Sequence, residues 1–187
     1  MSTMARRLLL GLVLGLGLLA ATGVAAARTG PELSAHGPTA VSGTEQSAVF
    51  RVGSRTVRQV RYDDRGRLDY EFVLGNDGRL PATVEGLAPL HPAPRLFRYL
   101  SLTDTEGASR FTIPAGERVT VRLALLMHSC ETLSARAGSF VTQVRLRTSR
   151  AGVLDSTVTL DLPEQVHTGS PREASCPRAT ATSRPPG

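Results

Sequence analysis

Between residues 57 and 74 apolar and polar side chains alternate. Val60, Tyr62, Leu68, Tyr70 and Phe72 fall on one parity, and Gln59, Arg61, Asp69 and Glu71 on the other. A period of two marks a strand with one face buried. Two such strands joined by a two- or four-residue turn would set apolar against polar on one face, whereas a three-residue turn keeps the apolar faces together. Asp64-Arg65-Gly66 is such a loop: Tyr62 then faces Leu68, Val60 faces Tyr70 and Arg61 faces Asp69. The expected geometry is a type I turn followed by a left-handed residue, with Gly66 at the left-handed position.

The frame of this turn occurs twice. Residues 61–69 read RYDDRGRLD and residues 147–155 read RTSRAGVLD, sharing Arg, four residues, Gly, any residue, Leu, Asp. With Arg150-Ala151-Gly152 as the second loop, Val144 faces Val158, Thr142 faces Leu160, Phe140 faces Leu162 and Arg147 faces Asp155. The repetition therefore reads as turn grammar rather than as a binding motif. The outward pairs Arg61 with Asp69 and Arg147 with Asp155 act as register pairs, each worth about 0.2–1 kcal/mol. A third loop, Pro114-Ala115-Gly116, sets Phe111 opposite Val119 if it closes a hairpin; a Pro turn can instead carry the chain to a second sheet.

Further strands are expected at residues 47–52, 80–87, 95–102, 109–113 and 118–127. In the last, Val119, Val121, Leu123 and Leu125 alternate with Thr120, Arg122 and Ala124. No convincing amphipathic helix follows residue 28. Seven to nine short strands in about 120 residues predict an all-β fold, a sandwich of two antiparallel sheets. With five Phe, three Tyr and no Trp, its core is expected to be mostly Val and Leu.

The N-terminus is a separate unit. Arg6 and Arg7 precede an uncharged run over residues 8–27 that closes on Ala25-Ala26-Ala27, the small-residue form that signal peptidase needs. Residues 1–27 read as a secretory signal peptide. The same 20-residue run is long enough to remain as an N-terminal anchor helix. Both readings place the rest of the chain outside the cytoplasm, secreted or held on the outer face of the plasma membrane. Residues 28–46 and 167–187 are rich in Gly, Pro, Ser and Thr without an apolar period. They are expected to be a flexible linker and a tail flanking a sandwich over residues 47–166. The formal net charge is +6, and every basic residue other than His is Arg. Guanidinium suits phosphate, but acids alternate with the arginines through residues 51–164 and no aromatic platform accompanies them, which argues against nucleic acid.

FVLGNDGRLPATVEGL, followed by FTIPAGERVTVRLALLMHSC, resembles the small Ig-like domains of secreted and membrane-anchored proteins of high-GC Gram-positive bacteria. In those a strand ends in Asn-x-Gly, the next opens near a Pro, and a Pro-x-Gly-Glu turn precedes a strand ending near a Cys. The matching residues are Asn76, Gly78, Pro81, Pro114, Gly116, Glu117 and Cys130, and the similarity spans residues 57–176. The resemblance implies an Ig-like sandwich outside the cytoplasm; most such domains have no assigned activity, so it supplies no functional residue.

Cys130 and Cys176 are the two cysteines, and in an exported chain they read as a disulfide. It would pin the tail to the end of the sandwich; closing a loop of that length is worth about 4 kcal/mol in the chain-entropy picture. The alternative is a metal. Met127, His128 and Cys130 in MHSC offer thioether, imidazole and thiolate, a set that suits copper. Alternation, however, turns Met127 inward and His128 to the other face. A copper titration of reduced protein separates a carrier using His128 and Cys130 from a pinned sandwich. His36, His91 and His167 lie in Gly- or Pro-rich surroundings without ligand spacing.

No G-x-S-x-G, H-E-x-x-H or lysine-bearing phosphate loop occurs. Asp63-Asp64 and Asn76-Asp77-Gly78 read as turns rather than calcium loops. The expectation is a non-enzymatic, cofactor-free module of the cell envelope that binds another envelope or surface protein through a sheet face, a loop end or an edge strand. It would touch membrane only through the N-terminal segment if that is uncleaved. Val141, Gln143, Arg145 and Arg147 form a candidate outward stripe on the strand over residues 139–148.

Overall fold

The computed structural model describes residues 30–44, 46–61, 65–128, 139–150 and 154–168. Its ten strands run β1 (Leu33–Ser42), β2 (Gln46–Val52), β3 (Arg55–Arg61), β4 (Arg67–Asn76), β5 (Ala82–Leu87), β6 (Phe97–Asp104), β7 (Phe111–Ile113), β8 (Arg118–Met127), β9 (Phe140–Arg150) and β10 (Leu154–His167). There is no helix among the described residues. One sheet has the order β1-β4-β8-β6, and the other β2-β3-β10-β9-β5-β7. The alternation read in the sequence becomes the core: Leu68, Tyr70, Phe72 and Leu74 of β4 and Val121, Leu123, Leu125 and Met127 of β8 are all buried. Val60, Val84, Val144, Leu146 and Leu160 meet them from the six-stranded sheet. Each such side chain, fully buried, contributes about 1.5–3 kcal/mol.

The first turn departs from expectation. β3 pairs with β2 and, in parallel, with β10, while β4 pairs with β1 and β8. Residues 61–67 thus carry the chain from one sheet to the other instead of closing a hairpin. Arg61 does not face Asp69: Arg61 is registered with Gln46, and Asp69 with Ala124 and Ser42. Asp69 instead accepts a hydrogen bond from Arg67 Nε at 2.8 Å, two residues away on its own strand. The left-handed residue is Arg65 (φ 62°), and Gly66 is not among the glycines of positive φ. Val60 and Tyr70 are both buried in the one core, but they belong to opposing sheets. Parity fixes which side chains face the core; a hairpin and a corner satisfy it equally.

The second copy does form an antiparallel hairpin, β9 with β10. Its register is displaced from the expected one: Leu146 faces Val158, Val144 faces Leu160, Arg147 faces Thr157 and Asp155 faces Ser149. Apolar still meets apolar, so the parity holds while the Arg147 and Asp155 pairing does not. Gly152 lies outside the described residues. The Pro114 turn takes the other route foreseen for it, since β7 belongs to the six-stranded sheet and β8 to the four-stranded one. Glu117 N donates to Pro114 O at 3.2 Å, and Gly116 is left-handed (φ 75°), a conformation glycine adopts without strain.

Two further differences bear on the surface. Residues 33–42, expected within a linker, form β1, whose Leu33, Ala35 and Val41 lean against the core. Val141, expected outward, is buried, and Phe140, expected inward, is 49% exposed. The alternation breaks within β9, where Val141 and Val144 are both buried, opposite the point at which its pairing with β10 slips between Asp161 and Val166. β10 keeps its own alternation, with Leu160, Leu162, Glu164 and Val166 all buried, so Val141 joins Val166 inside and Phe140 joins His167 outside.

Candidate functional site

Gly78, Pro114, Gly116 and Glu117 are hydrogen-bonded to the buried Asn76. Asn76 Nδ2 donates to Leu80 O at 2.9 Å and Ile113 O at 3.0 Å, and Asn76 Oδ1 accepts from Gly78 N at 3.1 Å. Its backbone bonds Glu117 O and Gly116 N at 3.0 and 2.8 Å. One side chain thereby ties the loop after β4 to the turn before β8. A buried amide satisfied this fully is structural.

A second polar cluster lies between the sheets. Arg58 Nε of β3 donates to Glu164 Oε1 of β10 at 2.5 Å, and its guanidinium reaches Thr39 Oγ1 of β1 at 2.9 Å. The Glu164 side chain is 5% exposed. The Tyr70 hydroxyl is buried against Glu164 and Thr39 without a hydrogen bond of good geometry. Burial first, and the Glu164 carboxylate second, push its pKa well above the ordinary phenol value. On the opposite flank Tyr99 of β6 crosses to Gln143 O of β9 at 2.5 Å, and burial raises its pKa as well. At the end of β1, Ser34 Oγ donates to Asp77 Oδ2 at 2.5 Å. His36 Nε2, at 2.7 Å, must then be the donor to Ser34, because the hydroxyl has one proton. Serine in the middle reverses the order that a nucleophile activated by His requires.

Two grooves open on the six-stranded sheet. The polar one, about 540 Å³, is lined by Glu85, Arg110, Arg147, Thr148, Ser149, Asp155, Ser156 and Thr157. It collects Arg147 and Asp155, the pair expected to set register. Within it Glu85 accepts from Ser149 Oγ at 2.7 Å and pairs with Arg110 at 3.0 Å. The other, about 340 Å³, is formed by Phe50 and Val52 of β2, Arg55, Val57 and Gln59 of β3, Phe140 of β9, and Gln165 and His167 of β10. Register places these on one face, since Phe50 pairs with Val57, Val57 with Gln165, and His167 with both Gln59 and Phe140. The Phe140 and His167 rings lie 4.7 Å apart. On the other side of β2, Val49 is 51% exposed.

Among the remaining sequence candidates, Met127 is buried in the core, and His128 is half-buried at the strand end with its N–H on Leu96 O at 2.9 Å. Gln143, Arg145 and Arg147 keep the outward positions expected of the stripe. Cys130, Cys176 and residues 1–27 lie outside the described residues. Among the described residues no group of His, Cys, Asp and Glu is placed to hold a metal, and no helix is long and apolar enough to cross a membrane. The apolar groove was missed in the sequence because its walls come from segments nearly 120 residues apart.

Fold and grooves together define an all-β protein of two packed sheets. No protein-family model matches the chain, and no curated protein does. Among solved structures it is similar to one titled "X-ray structure of Northeast Structural Genomics Consortium target SoR45", at 11% identity and a TM-score of 0.32, over 77% of this chain and 91% of that one. A likeness that loose carries no argument about function.

Proposed function

We propose that this chain is an exported, non-enzymatic Ig-like module of the cell envelope that binds another envelope protein through its six-stranded sheet. The observation that carries the reading is the exposed apolar surface around β2. Phe50, Val52 and Phe140 are each between 43% and 57% exposed around one groove, with Val49 exposed on the reverse side of the strand. Contiguous apolar surface of this kind marks interaction sites. The polar clusters support the same reading, since Asn76, Glu164 and Glu85 are engaged in holding the fold. Export rests on the sequence of residues 1–27, and the pinning of the tail on Cys130 and Cys176. Crosslinking in intact cells, read by mass spectrometry, tests all of this together. Crosslinks from the β2 and β9 surface to an envelope protein, with a mature N-terminus near residue 28 or an intact anchor, are the expected result. Cytoplasmic neighbours, or no neighbour at all, would contradict it.

A further inference from the structure

Among the described residues the two sheets have four edge strands, and three are blunted. β7 is three residues long. β1 carries Pro38 and loses register between His36 and Ala40, and β6 is bulged between Tyr99 and Ser101. Short strands, proline and bulges are the devices by which proteins keep a sheet edge from recruiting another strand. β2 has neither proline nor bulge: its seven residues pair with β3 in unbroken register from Gln46 to Val52, and its other side ends the sheet. Ala48, Val49, Phe50, Arg51 and Val52 are all exposed.

Charge is distributed unevenly here too. Residues 46–61 contain Arg51, Arg55, Arg58 and Arg61 and no Asp or Glu. Arg58 is turned inward to Glu164, while Arg51 and Arg55 are exposed beside the apolar residues. We infer that β2 is the docking edge for an extended acidic segment of the partner protein, with acidic and apolar residues alternating. Such a segment continues the six-stranded sheet by main-chain hydrogen bonds, lays one apolar row beside Phe50 and Val52, and answers Arg51 on the opposite face with carboxylates, while Arg55, registered with Val52 on the apolar face, adds to the positive potential of the edge. A second copy of the chain is the poorer occupant, because it would bring another basic strand to a basic edge. An anionic bilayer would leave the main-chain groups of β2 unsatisfied in hydrocarbon. The inference deepens the binding reading above and rests on it.

The probe is a fluorescein-labelled peptide of alternating Glu and Val, as long as β2, added to the full chain as cells produce it. Saturable binding by anisotropy is expected, with an Arg-Val peptide at least about tenfold weaker. A central proline in the Glu-Val peptide should remove binding, because it withdraws a ladder N–H. Arg51→Glu combined with Arg55→Glu should invert the preference between the two peptides. Both side chains are exposed, so the variant should fold, and unchanged circular dichroism verifies that. Deuterium exchange should slow at β2 and not at β7. No saturable binding at millimolar peptide, or binding that survives the charge reversal or the proline, would overturn the inference. Protection of β2 that grows with protein concentration in the absence of peptide would do the same, assigning the edge to a second copy. If the edge fails in these ways while crosslinks to an envelope protein persist in cells, the broader binding reading stands without it.

Discussion

Residues 61–69 and 147–155 share a frame and meet different ends. Leu68, in the first, is fully buried in β4; Leu154, at the same position of the second, is 40% exposed. Asp69 is held by Arg67 along its own strand, whereas Asp155 lines an open polar groove. The first copy turns a corner between sheets and the second closes a hairpin within one. A tight reversal near a glycine therefore specifies which side chains face inward but leaves the choice of neighbouring strand to tertiary packing. The corner has a consequence: it separates β3 from β4, sends β3 to pair in parallel with β10, and leaves β2 as the sheet edge.

The pair that ties β3 to β10 should show the largest effect. Replacing Glu164 by Ala removes the buried carboxylate that receives Arg58 Nε, and is expected to cost up to about 3–5 kcal/mol in denaturant unfolding. Arg58→Met combined with Glu164→Leu should recover most of that loss. The two leucines separate the copies directly. Leu68→Ala should cost about 2–5 kcal/mol and Leu154→Ala no more than about 0.5 kcal/mol. Equal costs would mean that the copies are equivalent after all.

Smaller effects sharpen the corner itself. Gly43 has φ +76°, and a Cβ placed on it would stand 2.1 Å from Arg67 O, so Gly43→Ala should cost about 1–3 kcal/mol. Arg65 holds a left-handed backbone that glycine adopts freely, so Arg65→Gly should stabilise the chain by up to about 1 kcal/mol. High pH gives a separate test of the packing. Tyr70 and Tyr99 have folded pKa values above the ordinary phenol value of about 10. The folded state therefore holds their protons more tightly, and stability is full below about pH 10 and falls as pH rises beyond it. Of the three tyrosines, at most one should ionise near pH 11 before unfolding, by absorbance at 295 nm. Tyr70→Phe should make the alkaline decline shallower.

Much of the core was legible. Alternation along β8 gave its bounds and the inward Val121, Leu123, Leu125 and Met127; it did not give Ala124, which lies on the other parity and is buried as well. Gly116 was legible as well, since Pro-x-Gly allows few backbone solutions. β1 was not: its apolar side chains are only half-buried, and Pro38 interrupts their spacing. The exchange of Phe140 and Val141 was hidden because the alternation breaks within β9, between Val141 and Val144, where no glycine or proline marks it. The candidate edge did leave a trace, in that Val49 and Phe50 occupy both parities of one strand and no acid accompanies Arg51 within it. A strand apolar on both faces is either interior or awaiting a neighbour.

The separation of β3 from β4 underlies both the corner and the free edge, and inter-strand nuclear Overhauser effects measure it most directly. Contacts between the backbone protons of Val57 and Gln165, and between those of Gln59 and His167, are the result the parallel pairing requires. Close Hα contacts between Arg61 and Asp69, or between Val60 and Tyr70, would show a hairpin in their place and return β3 to the side of β4.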